Sequence, residues 1–182
     1  MQAILMRQLQ LQKKREIFVS ESILVGSAED NNAVIIEKSP GGLDVYYPKE
    51  DLLICSNHFQ SDKFKNEPNN LEYIEQSATA YRQNRALELL DNNDTTTYED
   101  AASMLRDYNG MGNKSIGIGN EKAMAQFISH HSIIFQPLKH DFWVSTTNYQ
   151  FGAFLNYNLD TVFSKIELSD KGEIIYDSVR TI

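Results

Sequence analysis

The run LLICSNHFQS, residues 52–61, joins an apolar stretch to Cys55, Ser56, Asn57 and His58. A thiol, a primary amide and an imidazole this close together are the parts of acyl transfer: a nucleophile for a carbonyl, an N–H donor for the oxyanion, and a base. Cys55 is the chain's only cysteine. In an apolar alternating run it reads as a small buried hydrophobe, and a thiolate needs an adjacent base or positive field. If LLIC is a strand, His58, three residues on, points to the opposite face. Cys55 is therefore expected to be a wall residue and not the nucleophile. Asn57, directly after the apolar run, suits either an oxyanion donor or a turn.

Farther along, YRQNRALELL places Arg82 and Arg85 three residues apart, hence on one helical face. Such a pair forms either a solvated stripe or a rigid guanidinium fork that orients a carboxylate or nucleophile. The four histidines make no ligand set, because His130 and His131 are adjacent and diverge on any regular element. No metal site and no cofactor are expected. GMGNKSIGIGN, residues 110–120, lacks both the Gly-Lys-Ser/Thr ending of a phosphate loop and the last glycine of the dinucleotide fingerprint. It reads as a flexible loop.

The elements that hold these groups must come from 182 residues, enough for a real core. Lys plus Arg number 17 and Asp plus Glu 25, a net charge of −8 that offers no basic footprint for nucleic acid or an anionic membrane. One cysteine excludes an internal disulfide framework. No apolar run approaches the roughly 20 residues of a spanning helix, and the N-terminal stretch has no compact apolar signal core. A soluble chain, with the cytoplasm favoured as its compartment, is the expectation.

QAILMRQLQLQKKR predicts a short amphipathic helix with a basic end. SILVGSAE and AVIIEKS, joined by DNN, predict a hairpin, and VYYP and LLICSNHF extend it to four antiparallel runs. SDKFKNEPNN reads as a surface loop. EYIEQSATAYRQNRALELLDNND predicts one helix, and TTYEDAASMLRDYNG a second, with Thr97 and Asp100 as a capping box and Gly110 as its stop. EKAMAQFISHH suggests a short helix, SIIFQPLKHDFWVSTT a hairpin, and FGAFLNYNL and GEIIYDSV final strands. Strands, then helices, then strands predict an α+β fold with helices on the outer face of antiparallel sheets.

Taken in order, SESILVGSAEDNNAVIIEKSP, LLICSNHFQS, SATAYRQNRALELL, GIGNEKAMAQFISHHSIIFQP and FWVSTT resemble the later part of the acyl-coenzyme A:6-aminopenicillanic-acid acyltransferase family. That family is grouped with the choloylglycine-hydrolase-like N-terminal nucleophile hydrolases. The resemblance implies an αββα sandwich of which residues 1–182, one domain, form the C-terminal portion. It implies a cysteine, freed at a new N-terminus by autoproteolysis, whose thiol attacks an amide or thioester carbonyl with its own α-amino group as base, so that linear amide C–N bonds are broken through an acyl-enzyme. It also implies that Asn57 contributes to the oxyanion hole, that Arg82 positions nucleophile or substrate, and that His58, Ser77 and Arg85 help bind substrate. The family nucleophile lies upstream of the part resembled. The implied partners are a small-molecule amide or acyl substrate, a chain carrying the nucleophile half, and further copies in a homo-oligomer; the rival expectation is a non-catalytic family member serving as a binding or assembly module.

Overall fold

The computed structural model describes residues 3–48, 51–91, 95–146, 149–164 and 180–181. The polypeptide divides into two compact units, Met1–Leu87 and Glu88–Ile182. In the first, helix α1 (Ala3–Lys13) places Leu5 and Leu9 one turn apart and buries both. They pack on Val34 and Ile36 of a three-stranded sheet, with Ile23, Val25, Leu43 and Val45 around them. The Asp30 carboxylate accepts the Leu5 N–H at 2.8 Å, satisfying one of the helix's unpaired first-turn donors with the charge its N-terminus favours.

The sheet is an antiparallel meander of β1 (Glu21–Ser27), β2 (Asn32–Ser39) and β3 (Gly42–Tyr46), with Ile23 opposite Ile36 and Lys38 opposite Leu43. The DNN turn is made as expected, with Asn31 in the left-handed region at φ 46°. The Gly42 position favours glycine because its φ is 128°, a backbone conformation that L side chains rarely adopt. Because strand residues alternate, Val34 and Ile36 face α1 while Ile35 and Glu37 face away from it. That second face carries the segment around residues 55–64.

The fourth expected strand does not form. Residues 52–56 are irregular, and side chains take backbone groups in and just after them. Gln60 Nε2 donates to the Ile54 carbonyl at 2.8 Å, Asn70 Oδ1 accepts the Phe59 N–H at 2.8 Å, and Glu37 accepts those of Gln60 and Ser61. The single long helix is likewise two, α2 (Pro68–Gln76) and α3 (Thr79–Asp91). They break where Ser77 turns extended at φ −126°, ψ 167°, and its hydroxyl accepts the Thr79 N–H.

In the second unit, α4 (Tyr98–Leu105) opens on the predicted capping box, with Thr97 and Asp100 each accepting the other's N–H. It ends at Arg106 instead of Gly110: the backbone leaves helical geometry there at φ −92°, ψ 0°, while the side chain donates to the Gln150 and Gly152 carbonyls and lies over the Phe154 ring. Residues 121–131 form turns and not the expected helix, since the Ala125 N–H is given to the Asp107 carbonyl. Strands β4 (Ile133–Gln136), β5 (Asp141–Ser145) and β6 (Phe154–Asn158), then helix α5 (Leu159–Ser164) and β7 (Arg180–Thr181), complete an antiparallel sheet of order β4-β5-β6-β7. The expected hairpin at 132–147 and the strand at 151–159 are both present; GEIIYDSV, residues 172–179, lies outside the described residues.

Ala102 of α4 packs on Ile134, Trp143 and Phe154, and Tyr98 stacks on Trp143 with centroids 4.7 Å apart. The opposite face carries the ring series Phe135, Phe142 and Tyr157, whose successive centroids are 6.0 and 5.2 Å apart. Each unit is thus an antiparallel sheet with a helix on one face, and the fold is α+β.

Candidate functional site

The segment that connects the sheet to α2 and α3 lines a cleft of about 650 Å³, entirely within the first unit. Its wall includes Ser22, Cys55, Asn57, His58, Glu67 and Tyr73. Two side chains fix the segment to the sheet and to α2. Glu37, fully buried in β2, accepts the Gln60 N–H at 2.6 Å and the Ser61 N–H at 2.9 Å. Asn70, in the first turn of α2, accepts the Phe59 N–H and donates to the carbonyls of Phe59 and Lys65.

The first turn of α3 completes the arrangement. Thr79, also fully buried, accepts the Asn57 N–H at 2.9 Å, and its hydroxyl lies 3.1 Å from His58 Nδ1. One turn on, Arg82 Nη2 donates to Asn57 Oδ1 at 2.9 Å. This bond sets the amide's orientation: with Oδ1 held by a cationic donor, the Asn57 NH₂ is the end available to a ligand. Asn57 is itself exposed, so its side chain is reachable from solvent.

His58 Nδ1 also lies 3.1 Å from Ser56 Oγ. Burial pushes the His58 pKa below the usual 6.5, outweighing the Glu37 charge and a Gln83 hydrogen bond that act the other way. His58 binds its proton less readily folded than unfolded. Its contribution to stability is therefore full above the unfolded pKa and is lost as pH falls through the folded one. Titration followed at the His58 ring protons should give a midpoint below 6.5, and a midpoint at or above 6.5 would contradict this environment.

Cys55 sits in the same wall in the opposite condition to an activated thiolate. Burial first, then the Glu37 charge, push its pKa up, more than a Ser22 hydrogen bond brings it down. The reason given by strand alternation does not apply, because residues 55–58 are not in a strand; the environment itself keeps the sulfur a thiol.

Of the residues singled out from sequence, the structure brings Asn57, Arg82 and His58 together. Ser77 and Arg85 are not in the cleft wall: Ser77 terminates α2, and Arg85, 1% exposed, is buried in α3. Sequence reading missed Glu37, Asn70 and Thr79. Only Glu37 gave a signal, a charge at an inward position of an apolar alternating strand. Among the described residues no cluster of three or more His, Cys, Asp or Glu side chains could hold a metal ion, and no helix is long and apolar enough to cross a membrane.

No curated protein and no solved structure matches the chain. The family model of the acyl-coenzyme A:6-aminopenicillanic acid acyl-transferases matches residues 10–148.

Proposed function

Because the chain belongs to the acyl-coenzyme A:6-aminopenicillanic acid acyl-transferase family, we propose that its cleft takes part in acyl transfer at linear amide C–N bonds. A cysteine thiolate adds to the amide carbonyl, the oxyanion is held by the Asn57 NH₂, the C–N bond breaks and the amine leaves with a proton. The resulting acyl-enzyme passes its acyl group to water or to another amine. The observation that carries this reading is the Arg82–Asn57 hydrogen bond, which holds an exposed amide with its donor end free beside a cleft. Thr79, with His58 beside its hydroxyl, keeps the Asn57 backbone in place, and Ser77 and Arg85 act at a distance, by ending one helix and packing the next.

The nucleophile is not Cys55. We place it in a segment or partner chain outside these residues, exposed there by autoproteolysis, with the present polypeptide forming the C-terminal side of an αββα sandwich. Each described sheet has a helix on one face, which is the pairing such a sandwich requires of each half. The Phe135–Phe142–Tyr157 face, with Phe135 63% exposed, supports a complex or homo-oligomer. A second reading, a binding or assembly module without catalysis, is favoured by the thiol character of the chain's one cysteine.

Intact-mass analysis after treatment with an activated acyl ester separates these. The polypeptide alone should gain no acyl adduct, while protein isolated from its native source should contain a co-purifying chain that does. Absence of any such chain supports the module. An adduct on Cys55, abolished by Cys55→Ala, would overturn the assignment of the nucleophile.

A further inference from the structure

Water or an amine that attacks an acyl-enzyme must give up a proton, and the departing thiolate must receive one. The attacking atom and the oxyanion are bonded to the same carbon, so a group that takes this proton has to neighbour the oxyanion donor. Ser56 directly precedes Asn57, and both line the cleft. Ser56 is half-buried, within reach of a bound ligand, and its Oγ lies 3.1 Å from His58 Nδ1. Thr79 Oγ1, which is fully buried, lies 3.1 Å from the same nitrogen. Gln83 interacts with the ring while its own Nε2 donates to Gln60 Oε1 at 2.6 Å, so Gln83 turns its carbonyl oxygen to His58. A ring N–H given to that oxygen accounts for the upward effect of Gln83 on the ring's pKa.

That N–H is on Nε2, because Nδ1 is against the two hydroxyls. Nδ1 is then the unprotonated nitrogen, and Ser56, the more accessible of its hydroxyl partners, donates to it and keeps its lone pairs for a ligand. Glu37 of β2 acts on the ring in the same direction as Gln83; Glu21 of β1 and Glu67 and Tyr73 of α2 border the same cleft, and Arg82 of α3 is held by Asn57. We propose that Ser56 is a catalytic residue of the release half-reaction, passing the proton of the attacking water or amine to His58. The attacking atom bonds to the acyl carbon, its proton goes to Ser56 Oγ, and the Ser56 proton goes to His58 Nδ1. The oxyanion rests on the Asn57 NH₂ until the C–S bond breaks, and the proton returns by the same route to the thiolate. Resting on the acyl-transfer reading of the cleft, this relay requires a neutral His58 ring.

Turnover of p-nitrophenyl acetate by the assembled enzyme is the test, with the nitrophenolate burst reporting loading of the thiol and the steady rate reporting release to water. Ser56→Ala should leave the burst rate within about twofold and slow release roughly 10²-fold, so that intact mass shows the acetyl adduct persisting on the nucleophilic cysteine. Ser56→Thr, which keeps a hydroxyl, should recover most of the release rate. In the wild type, release should fall as pH drops through the His58 midpoint measured by NMR, and in Ser56→Ala this limb should vanish. Release unchanged in Ser56→Ala, burst and release slowed alike, or an acid limb that survives in Ser56→Ala, the mark of the α-amino group as base, would each overturn the relay. If Asn57→Ala is slow while Ser56→Ala is normal, the relay falls and the acyl-transfer reading stands. No burst in the wild type, or normal burst and release in Asn57→Ala, would overturn both.

Discussion

Asn57→Ala is expected to lower kcat roughly 10²–10³-fold in the assembled enzyme, the effect of removing one oxyanion donor. The loss should fall on kcat and kcat/KM alike, because the amide is needed where negative charge develops and not where substrate first binds. Stability should hardly change. Asn57 is exposed, and the hydrogen bond that fixes its backbone comes from the N–H, which alanine retains. Arg82→Lys is expected to produce a similar defect by another route. The ammonium is a flexible point charge and cannot hold Oδ1 as the guanidinium does at 2.9 Å, so the Asn57 amide would be free to rotate. Because one residue acts through the other, the double variant should be little worse than Asn57→Ala alone. Additive losses would show that Arg82 does not act through Asn57, and an Asn57→Ala enzyme with normal kcat would remove Asn57 from the oxyanion site.

What could be read from the sequence follows from how local its causes are. The β1–β2 hairpin, the capping box at Thr97 and Asp100 and the β4–β5 hairpin each depend on residues within a few positions of one another, and all three formed. The segment at 52–56 has the composition of a strand but no ladder: the Ile54 carbonyl is taken by the Gln60 side chain, and the N–H groups that follow, of Phe59 and Gln60, go to Asn70 and Glu37. The same cause hid the site's support. Nothing near Asn57 indicates that the N–H of this residue is given to Thr79, 22 positions away. Arg82 was legible as a charged helical residue; its partner was not, since spacing along one helix says nothing of what faces it.

The largest stability effect should come from Glu37, the residue on which the cleft segment rests. It is fully buried and accepts two consecutive backbone N–H groups, so its negative charge is paid for by charge-assisted hydrogen bonds. Glu37→Leu removes a desolvated charge, which favours folding, but leaves the Gln60 and Ser61 donors buried and unmatched. Mutation cannot delete backbone donors, and each unmatched one costs about 1–3 kcal/mol. The second effect should win, with a net loss of roughly 2–5 kcal/mol. In a unit of this size that lowers the Tm by more than about 8 °C. Glu37→Gln should lose less, since one amide oxygen can still accept one of the two N–H groups. It also provides an electrostatic test that a merely weakened fold does not imitate. The carboxylate raises the pKa of both the Cys55 thiol and the His58 ring, so neutralising it should lower both. Iodoacetamide alkylation of Cys55 should then reach half its maximal rate at lower pH, and the His58 midpoint should move down with it. Unchanged titrations in a folded Glu37→Gln protein would show that Glu37 does not set the electrostatics of the cleft, and an unchanged Tm in Glu37→Leu would show that the segment carrying Asn57 is held by Asn70 and Thr79 alone.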